Sequence, residues 1–435
     1  MKDEVGDPYS PLSYQDIRQM MNALGLGSLD ELFRDVPYPT HDPRLPPRVT
    51  EEELEAEIEG LLADSPVERA ATTGRYVPSA VDEIASRGEL YTAYTSYQSE
   101  LSQGMLQALF EYQSLISELT GLDVVSSSLY DGGSALGEAA LLAKRVTGRS
   151  SVLVARSVDP ERLDVLKTYL FGADMEARLL PFDGRGEVER PAFQPDDAAL
   201  VYVESPNYLG VVEEGLEDLV AWAHQGGALV AVGVDLPSLS VLRPPGEFGA
   251  DLAVGEGVGV HPYGSPSLGV LAGRKELMRD MPGKLVGATL DQEGRLAFAL
   301  TLVTREQSIR REKATSNVTT DSALSAVQAA AYIALMGASG LADVLRREVI
   351  SLRVAEAWLE GLGLFRTFRG PELSALCVGR PGLDEAMRGL QAQVPISRLS
   401  GIFPELKDNL RIGRFRGDPR KVLGGISQVL GGERS

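Results

Sequence analysis

The sequence holds a single cysteine, Cys377, three histidines (His41, His224 and His261), and only eight lysines among its 42 basic residues. One cysteine excludes an intrachain disulfide framework and any multi-thiolate zinc site, and it fits a reducing compartment, so a cytoplasmic location is expected. Three scattered histidines argue against a histidine-rich centre, and no metal site is expected. Positive charge is also scarce: 62 acidic side chains oppose the 42 basic ones over 435 residues, for a net charge of −20. Phosphate backbones and anionic membrane surfaces both need a basic footprint, so neither nucleic acid nor membrane is expected as a partner. No run of about 18 apolar residues suggests a bilayer span, and the start Met-Lys-Asp-Glu-Val lacks the apolar core of a secretory leader.

What is present is an ordinary globular composition, 43% hydrophobic and 24% charged, in a chain too long for one core. Residues 1–65 read as a helical extension. Ser13 with Asp16, Ser28 with Glu31 and Thr50 with Glu53 are capping-box starts, the last followed by Leu54, Ile58, Leu61 and Leu62 on one helix face. Pro37 to Pro47 reads as a linker. Residues 66–330 read as a large α/β domain, with a helix from about residue 98 that stops at Gly121. β-rich runs follow at Ser151–Ala155, Ala198–Glu204, Ala228–Asp235, Asp251–Val254 and Leu268–Ala272. Continuous apolar strands alternating with helices indicate a buried, mainly parallel sheet. A helix over Asp321–Met336, closed by Gly337 and Gly340, leads into a smaller α+β domain at 331–435. That domain is expected to hold a helix at Leu341–Leu359, strands near Leu373–Val378 and Asn409–Ile412, and a last helix near Lys421–Leu430.

Three features suggest chemistry. Ser126 to Glu138, ahead of the helical run Ala139–Val146, is a small-residue loop whose N–H groups form either an anion cradle for a phosphate or a tightly packed turn. Asp235 ends a hydrophobic strand, where open α/β sheets bind ligands. An aspartate so placed pairs with the pyridine nitrogen in pyridoxal-phosphate enzymes, or it caps the next loop. Such an enzyme needs a lysine after the next strand, yet Gly255 to Gly273 contains none, and Lys275 is the first candidate. Arg305 to Thr320 concentrates basic and hydroxyl side chains, suited to a carboxylate or phosphate or to salt bridges at a subunit contact. Tyr91 to Gln98 offers further hydroxyls.

Several strings together resemble the N-terminal (α, or subunit 1) half of the two-subunit glycine dehydrogenase (decarboxylating), the P-protein family of the glycine cleavage system. They are Tyr91-Thr-Ala-Tyr-Thr-Ser-Tyr-Gln-Ser-Glu-Leu-Ser-Gln-Gly104, Leu129-Tyr-Asp-Gly-Gly-Ser-Ala135, Pro282-Gly-Lys-Leu-Val-Gly287 and Arg310-Arg-Glu-Lys-Ala-Thr-Ser-Asn317. The resemblance implies a pyridoxal-phosphate-dependent transferase fold of the aspartate aminotransferase type, fold type I. It also implies that pyridoxal phosphate is bound by the partner β subunit, that glycine is decarboxylated, and that the aminomethyl group passes to the lipoyl arm of the H-protein. The assembly implied is α2β2. No catalytic residue is then expected in this chain. Tyr94, Thr95, Tyr97 and Gln98, with Thr315, Ser316, Asn317 and Thr319, are the implied interface or shared-site residues, and Tyr130, Asp131, Gly132, Gly133, Ser134 and Asp235 are remnants of cofactor geometry. The chain departs from the family at Thr72 to Pro78, where a loop is shorter and lacks a histidine, at Thr95-Ser-Tyr97, and at Gly255 to Gly264. The rival readings are a self-sufficient pyridoxal-phosphate enzyme using Lys275 or another lysine, and a non-enzymatic scaffold of the same fold.

Overall fold

The computed structural model describes residues 12–36, 47–63, 75–92, 96–259, 267–319, 321–389, 396–415 and 423–431. Most of the expected linker at 37–47 and the start of the last expected helix lie outside these residues. The chain divides into two units, Met1–Ala63 and Asp64–Ser435.

In the first unit, helices run over Tyr14–Leu24 and Glu51–Ala63, with a 3₁₀ turn at Leu29–Phe33 between them. All three capping boxes form. The Asp16 carboxylate accepts from the Ser13 N–H at 2.8 Å, and that of Glu53 accepts from the Thr50 N–H at 2.8 Å. The apolar face of the second helix is exposed at Leu54, Ile58 and Leu61, in contrast to an ordinary core stripe.

The second unit is built on a seven-stranded sheet of order β1-β7-β6-β5-β4-β2-β3. Its strands are β1 Val124–Val125, β2 Ser151–Ala155, β3 Glu176–Leu180, β4 Ala198–Ser205, β5 Leu229–Asp235, β6 Leu252–Glu256 and β7 Gly269–Gly273. The strands β3, β2, β4, β5 and β6 are mutually parallel, and β7 pairs antiparallel with both β6 and β1. β2 and β4 are buried along their whole length, so their apolar runs are continuous rather than alternating. β3 escapes a hydrophobic-run reading because it is an edge strand with partly exposed residues. A hairpin, β8 Leu285–Leu290 with β9 Leu296–Thr301, lies outside this sheet and has the same mixed burial.

One helical boundary differs from expectation and another agrees with it. The helix expected from Ala139 begins at Gly132 and ends at Thr147. Asp131 caps it, accepting from the Ser134 N–H at 2.7 Å, so Gly132, Gly133 and Ser134 belong to its first turn rather than to a loop. The helices expected on either side of Gly337 and Gly340 are joined end to end as one kinked helix, Ala323–Glu360, whose break falls at Gly337 (φ 59°, ψ −177°), where the first was expected to close. This bridging helix contributes Val327, Tyr332 and Ile333 to the large core and Leu352, Ala355 and Leu359 to a second core. The second core also packs the antiparallel sheet β10-β11-β13-β12, formed by Phe365–Arg366, Ala375–Gly379, Asn409–Gly413 and Ile396–Arg398. By length and mean hydropathy the bridging helix would also suffice to cross a membrane, although half of the apolar window is buried inside the protein.

Candidate functional site

The parallel strands place three acids at one edge of the sheet. β2 leads to β3 on one side and β4 lies on the other, so the strand order reverses between β2 and β4, and the crevice outside the carboxyl ends opens there. Asp235 and Glu256 are register partners on β5 and β6, and Glu204 of β4 pairs with Gly233, two residues before Asp235. Because side chains alternate with period two, Glu204, Asp235 and Glu256 project from the same face. Arg75, Asp159, Arg162, Asn207, Tyr208, Arg411 and Arg414 complete the cleft around them.

Each acid is met by a specific partner. Arg75 clamps Asp235 with two bonds of 2.7 Å, Nη1 to Oδ1 and Nη2 to Oδ2, while its Nε and Nη2 reach Glu348 of the bridging helix at 2.7 and 2.9 Å. Arg414 approaches Asp235 Oδ1 at 3.4 Å. Burial alone would raise the Asp235 carboxyl, but the Arg75 and Arg414 charges outweigh it and hold the group below the usual carboxylate range. Glu204, buried, accepts from Arg162 Nη1 at 2.9 Å, from the Tyr202 hydroxyl at 2.9 Å and from the Asp159 N–H at 3.0 Å. Glu256 Oε1 accepts from the Gly132 N–H at 2.8 Å. Burial raises the Glu256 carboxyl, against the nearby Arg162 charge and the Gly132 bond.

Three of the remaining sequence candidates, Tyr97, Tyr130 and Thr319, lie elsewhere, near Lys284. Its ammonium is buried, donates to the Thr319 carbonyl and lies 3.2 Å from Asp321 Oδ2 and 5.4 Å from the centre of the Tyr97 ring. The Thr319 N–H donates to the Tyr130 hydroxyl at 3.2 Å. Tyr97 and Thr319 therefore meet the Lys284 cation, and Tyr130 joins them through the Thr319 N–H. Ser316 hydrogen-bonds the buried Glu138 carboxyl, which burial raises against the effect of that bond. The Thr315 N–H is used by the Arg305 carbonyl at 3.1 Å. Asn317 and Thr319 line a shallow depression with Gln307, Ser308, Arg311 and Glu312, and Gln98 is exposed. Tyr94 and Thr95 lie outside the described residues. Asp131 acts as a helix cap and Asp235 as an ion-pair partner.

Pyridoxal phosphate does not fit this cleft. The N–H at the start of the Gly132 helix, the natural seat for a phosphate, already holds Glu256. The carboxylate that would face a pyridine nitrogen is taken up by Arg75. Lys275 stands at the wrong edge: β7 runs antiparallel, and its last residue, Gly273, pairs with Leu252, the first residue of β6, opposite the end that carries Glu256. Among the described residues no cluster of histidine, cysteine and acid could hold a metal. Arg75 and Lys284 lay in marked segments without any sign of their partners, and Glu348 and Arg162 had no local sequence signal. Glu204 and Glu256 had one, since the rule that singles out Asp235 applies equally to acids closing the neighbouring strands.

Comparison with known proteins agrees with this architecture. A sequence profile of the glycine cleavage system P-protein matches residues 7–366. The chain is 40% identical, over 443 aligned positions covering 98% of it and 100% of the relative, to the probable glycine dehydrogenase (decarboxylating) subunit 1 of Carboxydothermus hydrogenoformans. Among solved structures it superposes with a TM-score of 0.86 and 36% identity on a glycine decarboxylase (P-protein) of the glycine cleavage system in inhibitor-bound form, covering 98% of this chain and 100% of that one. A probable N-succinyldiaminopimelate aminotransferase from Thermus thermophilus, 14% identical, superposes with a TM-score of 0.58 over 83% of this chain and 93% of its own. That last similarity concerns the fold alone. The fold is of the pyridoxal-phosphate-dependent transferase type I class, a mainly parallel seven-stranded sheet with a small antiparallel C-terminal sheet.

Proposed function

The chain belongs to the glycine cleavage system P-protein family, and from that premise we propose that it is the subunit of glycine dehydrogenase (decarboxylating) that lacks the cofactor lysine. In this reading a β subunit carries pyridoxal phosphate, and the two chains, as α2β2, decarboxylate glycine and pass the aminomethyl group to the lipoyl arm of the H-protein in the cytoplasm. The observation that carries the proposal is the pairing of every acid in the cofactor-type cleft with this chain's own donors, together with the lack of lysine between β6 and β7. A cleft so filled supplies architecture to a complex rather than covalent chemistry of its own.

The shared-site role falls to the cluster at Lys284. We assign Tyr94, Thr95, Tyr97 and Gln98, with Thr315, Ser316, Asn317 and Thr319, to the wall that faces the partner. Lys284 is the positioning residue, because it joins the Thr319 segment to the Tyr97 ring. Tyr97 is half exposed while Lys284 is buried, so the cation lies inside the chain and the aromatic reaches its surface. The test is glycine-dependent carbon dioxide exchange with each chain alone and with both, in the presence of lipoylated H-protein. Exchange is expected only from the mixture. Full exchange from the lysine-bearing chain alone would sink the proposal, and exchange from this chain alone would restore the self-sufficient enzyme.

A further inference from the structure

The start of the Gly132–Thr147 helix is built like an anion site, and its occupant is part of the chain. Glu256 Oε1 takes the Gly132 N–H at 2.8 Å. A Cβ at Gly132 would lie 2.7 Å from Glu256 Oε1 and 3.1 Å from Arg162 Nε, so the carboxylate and the guanidinium both press against the glycine. Glycine at 132 is what admits them. Two further donors of this turn are committed as well, that of Ser134 to the Asp131 cap and that of Ala135 to the Asp131 carbonyl. Arg162, the basic group of the seat, is held by Glu204.

We propose that Glu256 is an internal substitute for a phosphate: its carboxylate fills the anion seat at this helix start and closes the cleft to phosphate-bearing ligands. β6 fixes the backbone of Glu256 in register with Asp235, which aims the side chain at the helix. A group tethered in this way acts at an effective concentration of about millimolar or more. A phosphate ester at micromolar concentration does not displace it. Arg75 completes the closure one strand away, and it comes from the segment Thr72 to Pro78, where the sequence departs from the family pattern. The inference rests on the proposed function only in placing the cofactor on another chain.

The experiment uses the full-length chain and its Glu256→Ala, Glu256→Ser and Glu256→Gln variants, with inorganic phosphate and pyridoxine 5′-phosphate as probes. The second probe carries the phosphate without an aldehyde, so it cannot form adducts with surface lysines. Binding is followed by equilibrium dialysis and folding by circular dichroism. The wild type is expected to show no saturable binding up to about millimolar concentration. Glu256→Ala and Glu256→Ser are expected to bind pyridoxine 5′-phosphate at least tenfold more tightly than wild type, with inorganic phosphate competing. Glu256→Gln, which keeps an acceptor for the Gly132 N–H, should gain less than either. Wild-type binding equal to that of the variants would overturn the proposal, as would folded Ala and Ser variants that gain nothing. Loss of the fold in all three would also overturn it, by making Glu256 a structural requirement rather than an occupant. None of these outcomes bears on whether exchange activity needs two chains, so the two readings fail separately.

Discussion

At Arg75 one guanidinium joins a strand end to a helix 113 positions further along the chain, spanning Asp235 and Glu348, with side chains only 12%, 17% and 10% exposed. Breaking such a part-buried arrangement from the cation side leaves two acids with only Arg414, 3.4 Å from Asp235, to offset them. Arg75→Ala is therefore expected to lower unfolding stability by about 3–5 kcal/mol, and Arg75→Lys to recover part of it, since an ammonium cannot make the bidentate contact. Urea denaturation of the three proteins measures this. The same contact has a pH signature. The Asp235 carboxyl titrates lower in the folded chain than in the unfolded one, where its pKa is about 3.9. Its contribution is fully present above that value and is lost as pH falls through the folded value. The stability gap between wild type and Asp235→Asn should hold constant from pH 7 to about pH 5 and narrow below about pH 4. A gap independent of pH down to 3 would mean that Arg75 does not hold Asp235 ionised.

Among the elements, the sheet edge depends on how closely backbones approach. Gly269, on β7, lies against the loop that leads into the cradle helix: Leu129 and Gly269 exchange backbone hydrogen bonds of 2.9 and 3.1 Å, and a Cβ at Gly269 would lie 2.3 Å from the Asp131 carbonyl oxygen. The obstacle is backbone and cannot swing aside. Gly269→Ala is expected to destabilise the chain by about 1–3 kcal/mol and to loosen the Asp131 cap. Thermal unfolding and amide exchange at Ser134 would register both. This contact also shows what a linear reading reaches. The strands β2, β4, β5 and β7 lie within a residue or so of their expected places, because strands buried on both faces are continuous apolar runs. The Asp235 strand end, the Gly121 stop and the three capping boxes were legible for the same reason, since each is settled within a few residues. The helix at Gly132 starts seven residues before its apolar run, because the glycines that look like loop admit close neighbours there, Glu256 and Arg162 at Gly132 and Val165 at Gly133. Arg75 and Lys284 lie in segments the sequence marks, Thr72 to Pro78 and Pro282 to Gly287, but their partnerships were not legible. Their partners lie 160 and 37 positions away and are brought together only by the fold.

On the scale of the whole second unit, the two cores share one helix, and the break in that helix sets how they are joined. Gly337 has φ 59° and ψ −177°, a conformation essentially confined to glycine. Beyond its chain neighbours and the backbone of its own helix turn, no heavy atom lies within 4 Å of the position its Cβ would take, so packing against other parts of the chain makes no contribution to a substitution there. The cost of Gly337→Ala is then backbone strain alone, about 1–3 kcal/mol, offset by about 1 kcal/mol if the helix can straighten and use the better helix-forming residue. Straightening would require Val327 and Ile333 in the large core, or Leu352 and Leu359 in the small one, to leave their places, and burying each such side chain is worth about 1.5–3 kcal/mol. The packing term is larger than the propensity gain, so the variant is expected to keep the kink and bear the strain. A single calorimetric transition shifted to lower temperature would show this. A rise in melting temperature would mean that the helix prefers to be straight and that the cores tolerate it. The two variants separate what glycine does in this chain: at position 269 it lets two backbones touch, and at 337 it lets one helix serve two cores.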